Sequence, residues 1–376
     1  MILAYLCVVN WWVRVADIII SDYSAVICYT ALMITFELPD EFIAQEPAQP
    51  RDSARMLVYN RKTKQITDDY FYNLLDHLPD PTCMVVNNSK VEHCRMLFNE
   101  GRREIFVLES ANNKTVRALV RPGKVFRLGK TVELTPNVSV TVTAQDEDGI
   151  RTLEFSENTD HPDLVAAQHV PLPPYIAQND ALAEEYQTMY AKDSGSKAAP
   201  TAGLHFTSEL IKKVTNERDW AEVTLHVGLG TFASLTDEQL QLGRLHEEQY
   251  EIDQQTAEKI SLAKHVTAVG TTSVRTLESA ANNYCAELGP ESSTSLFEPG
   301  ATPIKAVRAS TDILIQPGYE FKRVNSLITN FHLPGTSLLL LVAAFLGSEE
   351  ELMAIYSHAI AEKYRFYSFG DCMFIV

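Results

Sequence analysis

From Ala198 to the C-terminus, apolar runs of strand length alternate with segments of helix length, and this alternation restricts the chain more than any other feature. "AEVTLHV" reads as a strand, and so does "VTAVG", which runs through "TTS" into the helical pattern "VRTLESAA". "SLITNF" reads as a third strand, leading through "HLPGTS" into "LLLLVAAFL". Strands that are each followed by a helix build a sheet whose faces the helices cover, so the expected class is α/β. "LLLLVAAFL" is apolar on every side but far shorter than the roughly 20 residues of a membrane span, which makes it a buried helix. The segment from Glu37 to Val86 is also mixed α/β.

Between Asn88 and Val170 the period drops to two. "NVSVTVTA" and "GIRTLEF" alternate apolar and polar residues, and Asp148-Gly149 between them is a hairpin signal. Further turns at Pro122-Gly123, Gly129 and Pro136-Asn137 give short strands, as in a small antiparallel barrel or sandwich. "PLPPYI" (Pro171–Ile176) then breaks the ladder, since proline lacks the N–H that a ladder needs. The simplest architecture is a larger α/β domain, residues 35–87 and 171–376, with a small antiparallel β-barrel domain, 88–170, inserted. Residues 1–34 stand apart. "MILAYLCVVNWWV" and "YSAVICYTALMITF" are uncharged but too short to span a bilayer, and neither a basic n-region nor a small-residue cleavage site accompanies them. They read as an extension upstream of the true start, with Met33 as that start.

The net charge of −17 repels phosphate, so a nucleic-acid partner has to meet a locally basic face. One stretch supplies it. "KTVRALVRPGKVFRLGKT" carries Lys114, Arg117, Arg121, Lys124, Arg127 and Lys130 without an acid. Such a run is ordinarily a solvated face, and it is also where a polyanion would dock. The 6 cysteines are scattered with no CxxC pair, which suits reduced thiols in a cytoplasmic chain better than a disulfide framework or a zinc knuckle.

Four segments carry candidate chemistry. "TAVGTTSVRTLES" places Thr271, Thr272 and Ser273 at a helix N-terminus, with Arg275 in the first turn. The hydroxyls serve as caps, and the free N–H groups with the added guanidinium also make an anion site for a carboxylate or phosphate. "HVGLGTFA" holds GxGxxA after a strand, but the next cap, Thr236, comes too late for a dinucleotide fold. Gly228 and Gly230 therefore read as room for close backbone approach to a ligand. His205, His226, His246 and His332 sit at element ends beside Gly or Pro. A single histidine is usually structural, whereas four at such ends suggest a shared cleft. No spacing resembles a metal-ligand set. "YRFYSFGDCMFI" sets Arg365, Ser368 and Asp371 among aromatics, which is either a core edge with a paired Asp or a base and ribose site.

Taken together, the chain resembles the S-adenosylmethionine:tRNA ribosyltransferase-isomerase (QueA) family of queuosine biosynthesis. The resemblance runs in colinear order from about Phe36 through "ELPDEFIAQEPAQPRDSARML", "PLPPYI", "YQTMYA", "AAPTAGLHFT", "EVTLHVGLGTF", "HEEQYEI", "AVGTTSVRTLESA", "TDILIQPGYEF", "LITNFHLP" and "YRFYSFGD". It implies an α/β domain with an inserted antiparallel barrel. It also implies transfer and isomerisation of the ribosyl part of S-adenosylmethionine onto 7-aminomethyl-7-deazaguanine at the tRNA wobble position. Epoxyqueuosine-tRNA, adenine and methionine are released, with no metal and no cofactor beyond the consumed S-adenosylmethionine. A cytoplasmic monomer acting on tRNA, away from membranes, is expected.

That chemistry asks for a base, an acid and anchors for carboxylate and adenine. Within the matched motifs His205 or His332 would transfer protons, and Asp371 would meet the amine or ribose. Thr271, Thr272 and Arg275 would take the methionine carboxylate, and Phe206 and Phe331 would lie near the adenine. Thr201, Gly203, His226, Gly228, Gly230, His246, Glu247, Asn330, Tyr367 and Ser368 complete the expected site. Arg117, Arg121, Lys124, Arg127 and Lys130 would hold tRNA. The chain departs from the family pattern at Glu92, His93, Cys94, Glu185, Gln316, Glu320 and Gly335, and several of these remove or reverse positive charge. A divergent, non-catalytic binder of tRNA or S-adenosylmethionine is the alternative, and a nicotinamide oxidoreductase resting on GLGTFA alone is a third.

Overall fold

The computed structural model describes residues 34–176, 179–228, 230, 235–288 and 297–376. The expectations for the N-terminal extension and for Met33 lie outside the described residues, apart from Ile34. That residue packs into the main core, and its carbonyl accepts the Gly335 N–H at 3.1 Å.

In chain order the first strands are β1 (Arg55–Asn60), β2 (Gln65–Tyr70), β3 (Cys83–Asn87), β4 (Ser89–Val91), β5 (Arg95–Phe98), β6 (Arg103–Ser110), β7 (Thr115–Arg121), β8 (Thr131–Glu133) and β9 (Ser139–Gln145). They continue with β10 (Arg151–Phe155), β11 (Gln168–His169), β12 (Asp193–Ser196), β13 (Asp219–Leu225), β14 (Arg244–Ile252), β15 (Val266–Val269), β16 (Val307–Ile313), β17 (Ser326–Asn330) and β18 (Cys372–Ile375). The large sheet has the order β16-β14-β13-β3-β15-β17-β18-β1-β2. Its centre is parallel: β13 pairs β3, β3 pairs β15 and β15 pairs β17 in the same direction. Antiparallel β18 follows β17, and β1 lies parallel to β18.

Successive residues of a strand face opposite sides, and here both sides are buried. Leu57, Cys83, Val85 and Ala268 enter one core, while Met56, Val58, Met84, Val86, Val269 and Ile328 enter the other. The helices Gln254–Leu262, Thr271–Leu288, Ser337–Leu346 and Glu349–Ala361 contribute to the first core, and Ser208–Glu217 contributes Leu210 and Val214 to the second. The run read as a buried helix is one, with Leu339 to Leu346 all buried. The expected α/β character is present.

The segment from β5 to β11 makes a separate antiparallel sheet of order β11-β5-β6-β7-β10-β9-β8, with its own core around Ile105, Val116, Phe126, Val140 and Leu153. Asp148-Gly149 makes the expected turn. Gly149 has φ +78°, its N–H reaches the Asp146 carbonyl at 3.0 Å, and β9 and β10 pair across it. The sheet curls without closing, because β8 and β11 are left as its two edges, so it is a half-barrel. Phe126, read among the surface charges, is a core residue.

Candidate active site

The parallel strands β15 and β17 end side by side, the position where open α/β sheets bind ligands. β15 passes through Gly270, at φ +84°, into the helix Thr271–Leu288. β17 ends in Asn330, followed by Phe331 and His332. The 3₁₀ turn Thr201–His205 and the Tyr175–Tyr367 pair close the rim. Together they form a cleft lined by Thr201, Thr271, Thr272, Asn330, Phe331, His332, Tyr367 and Ser368 among the expected residues.

Asn330 is the hub of this cleft. Its amide nitrogen contacts His205 Nε2 at 3.3 Å and donates to the Tyr367 carbonyl at 3.1 Å, while its oxygen accepts from the Thr201 hydroxyl at 3.3 Å. Tyr367 has φ +73°, a strained conformation for a bulky residue. Its N–H donates to the Phe331 carbonyl at 3.1 Å, and its own carbonyl also accepts the Gly370 N–H at 3.0 Å. A Cβ at Gly370 would lie 2.5 Å from the Arg365 carbonyl oxygen, so only glycine permits this bend. Gly203 likewise has no room for a Cβ, which would meet the Tyr190 hydroxyl.

His332 lines the cleft, half-buried, with Nε2 2.8 Å from the Thr329 hydroxyl. Burial pushes its pKa down to about 3. His205 is fully enclosed one layer behind, against Asn330 and the Phe71 ring at 5.2 Å. Burial, with the Arg365 and Arg51 guanidinium groups, pushes His205 down to about 3 as well. Both imidazoles are neutral near pH 7.

The remaining expected residues are dispersed. Phe206 lies in the opposite core, edge-on to Phe71 at 4.9 Å, and does not line the cleft. Asp371 is buried as a core carboxylate. It accepts N–H groups of Arg55 at 3.0 Å and Arg365 at 2.8 Å, and the Arg365 side chain lies 3.4 Å away. The core-edge reading of "YRFYSFGDCMFI" describes it. His226 borders a separate polar depression with Asp193, Glu222 and Arg308, and burial lowers its pKa. His246 and Glu247 are exposed and, with Gly228, Gly230 and Arg275, line a depression adjoining the cleft. The four histidines therefore do not share one cleft. Leu229 and residues 231–233 of "GLGTFA" lie outside the described residues.

Four contributors were not anticipated. Tyr175 lies in "PLPPYI", read from the sequence as a break in the ladder and a resemblance motif, with no site role expected of its tyrosine. Its hydroxyl is 2.7 Å from the Ser368 hydroxyl, and its ring centroid is 4.4 Å from that of Tyr367. Thr329 and Thr336 also line the cleft. Glu248, next to the expected His246 and Glu247, is buried on the same face of β14 as Tyr250 and Ile252 and pairs with Arg275. Alternation along β14 was the available signal.

On the curled sheet, Arg117 is paired with Glu109 at 3.2 Å and Asp146 at 2.8 Å. Arg121, Lys124, Arg127 and Lys130 are exposed and form no ion pair among the described residues. Two of the acidic departures are neutralised locally, Glu92 by Lys197 at 2.7 Å and Glu185 by Arg51 at 3.0 Å. Gly335 has φ +73°, which accounts for a glycine there. Among the described residues no helix is long and apolar enough to cross a membrane, and no group of three or more His, Cys, Asp or Glu is placed to hold a metal.

The model of a family described as queuosine biosynthesis protein matches residues 33–375. The chain belongs to that family. Among its relatives, the S-adenosylmethionine:tRNA ribosyltransferase-isomerase of Solibacter usitatus is 41% identical, covering 91% of this chain and 98% of the relative. The protein of the same name from Thermotoga petrophila is 40% identical with the same coverage. A solved structure, the S-adenosylmethionine tRNA ribosyltransferase of Thermotoga maritima, aligns at TM-score 0.50 and 34% identity over 91% of this chain and 99% of that one. In this chain the cleft at β15 and β17 is lined by residues of "AAPTAGLHFT", "AVGTTSVRTLESA", "LITNFHLP" and "YRFYSFGD", four of the segments that carried the resemblance.

Proposed function

We propose that the protein is an S-adenosylmethionine:tRNA ribosyltransferase-isomerase. It moves the ribosyl group of S-adenosylmethionine onto 7-aminomethyl-7-deazaguanine at the tRNA wobble position, giving epoxyqueuosine-tRNA, adenine and methionine. The observation that carries this reading is the family match over residues 33–375 together with near-complete coverage of relatives bearing that activity in their names. The cleft supports it, because it combines an aromatic wall, convergent hydroxyls and a neutral histidine in one enclosed space.

In this reading the sulfonium acidifies the neighbouring ribose methylene, and His332, which borders the cleft unprotonated, removes that proton. Full availability of the neutral imidazole comes at the expense of basicity, since a base held near pKa 3 is weak. The adjacent positive sulfur lowers the demand on this base by acidifying the carbon. His205 acts through Asn330, orienting its amide towards the cleft. Phe331, Tyr175 and Tyr367 bound the adenine side, and Thr271, Thr272 and Arg275 take the methionine carboxylate. Asp371 serves by holding the backbone of the Arg365–Asp371 bend. S-adenosylmethionine is consumed, and no further cofactor takes part.

Residues 88–170 are read as an inserted, barrel-like domain whose exposed Arg121, Lys124, Arg127 and Lys130 meet the tRNA backbone, with residues 35–87 and 171–376 forming the catalytic domain. The protein works as a monomer in the cytoplasm, where its tRNA is found. The test is adenine release from S-adenosylmethionine, with and without tRNA bearing the modified base. Release only in the presence of that tRNA is expected. Binding of both substrates without release would convert the reading to a non-catalytic binder.

A further inference from the structure

Beside the central cleft lies the depression lined by Gly228, Glu248, Arg275 and Ser337, and Leu338 borders both spaces. Arg275 is 7% exposed, and its Nη1 donates to the Glu248 carboxylate. Its Nε and Nη2 are buried and have no partner among the described residues. These two nitrogens form one edge of the planar guanidinium, the edge that grips a carboxylate through two parallel hydrogen bonds. Buried donors left unpaired are costly, so an edge held open in this way marks a place that a ligand completes. A second buried donor, the Thr272 hydroxyl one turn earlier on the helix Thr271–Leu288, is also without a partner among the described residues. The free N–H groups of that first turn add further attraction for an anion.

Glu248 fixes this arrangement. One carboxylate oxygen takes Arg275, and the other accepts the Gly228 N–H at 2.8 Å. A carboxylate has about four acceptor positions, so Glu248 retains capacity for another donor.

We propose that Arg275 and Glu248 form the receptor for the α-amino-acid end of S-adenosylmethionine. The ligand carboxylate lies on the Nε–Nη2 edge of Arg275, assisted by the Thr272 hydroxyl, and the α-ammonium lies on Glu248. A zwitterion on an ion pair leaves no net charge buried, which is the condition for holding charges out of water. This inference rests on the substrate assignment above and adds the ammonium contact and the role of Glu248.

The test is calorimetric binding to the full chain of S-adenosylmethionine and of its analogue lacking the α-carboxylate. Wild type is expected to bind the analogue about 10- to 100-fold more weakly, the range for a charge-assisted contact. Arg275→Lys keeps the charge and loses the edge. It should weaken S-adenosylmethionine by a similar factor and bind the two ligands nearly alike. Glu248→Gln should raise KM for S-adenosylmethionine more than it lowers kcat. Equal binding of the two ligands by wild type, a comparison that needs no variant, overturns the inference, as does discrimination preserved in Arg275→Lys. Adenine release by wild type separates the two claims. Absence of both release and S-adenosylmethionine binding defeats the substrate assignment, whereas release without discrimination defeats only the receptor.

Discussion

His205 and His332 share a protonation state but not a place. Both are pushed from the ordinary histidine value to about 3, mainly by burial. The sign of the resulting pH dependence follows directly. Above pH 6.5 the folded and unfolded chains both carry neutral imidazoles. As pH falls below 6.5 the unfolded chain takes up protons that the folded one refuses, so stability declines until about pH 3. Urea unfolding of His205→Gln between pH 6.5 and 5, above the carboxylate range, should show a shallower loss than wild type. The difference should be up to about 1.4 kcal/mol per pH unit. Identical slopes would mean that His205 is protonated in the fold. At this scale the sequence placed both residues at element ends but did not separate a cleft wall from the layer behind it. That separation depends on Asn330, which comes from the end of β17 and stands between His205 and the ligand space.

Elements bring the site together because one helix and one strand are locked by a buried carboxylate. Glu278, in the helix Thr271–Leu288, accepts the N–H groups of Lys322, Arg323 and Val324 at 2.8–3.0 Å and the Tyr319 hydroxyl at 3.0 Å. Those residues lead into β17, whose end carries Asn330 to His332, while the start of the helix carries Thr271, Thr272 and Arg275. Glu278→Ala leaves three buried N–H groups unpaired and should cost about 3–5 kcal/mol in chemical denaturation. A loss below about 1 kcal/mol would show that water or a backbone shift replaces the carboxylate. The strands, their turns and the buried helix were legible from periodicity, because period and turn chemistry are local. Glu278 was not, because its partners are more than 40 positions away in the chain. The curled sheet was legible as antiparallel and short-stranded, but closure was not. Whether β8 meets β11 is a matter of curl accumulated over seven strands, and no single strand encodes it.

For the whole molecule, the question is how a chain of net charge −17 meets tRNA. Of the basic run, Arg117 is neutralised by Glu109 and Asp146, which leaves Arg121, Lys124, Arg127 and Lys130 exposed on the curled sheet. Replacing these four by Ala should weaken tRNA binding and lower the slope of log K against log salt by about 3. S-adenosylmethionine binding should be unchanged. An unaltered salt slope would move the tRNA contact to another surface. Glu92 and Glu185, which looked from the sequence like lost positive charge, are paired with Lys197 and Arg51 and add little free negative charge. The sequence alone determined the class of fold, the order of its elements, and the segments that form the cleft, because hydrophobic period, turn residues and long colinear motifs are properties of the chain as written. Only the tertiary structure decided that Asp371 and Phe206 lie in cores, that four histidines occupy separate places, and that Glu248 leaves one edge of Arg275 open. Those outcomes depend on which strand ends are brought side by side and on what remains unpaired there, which is settled by packing across the sheet.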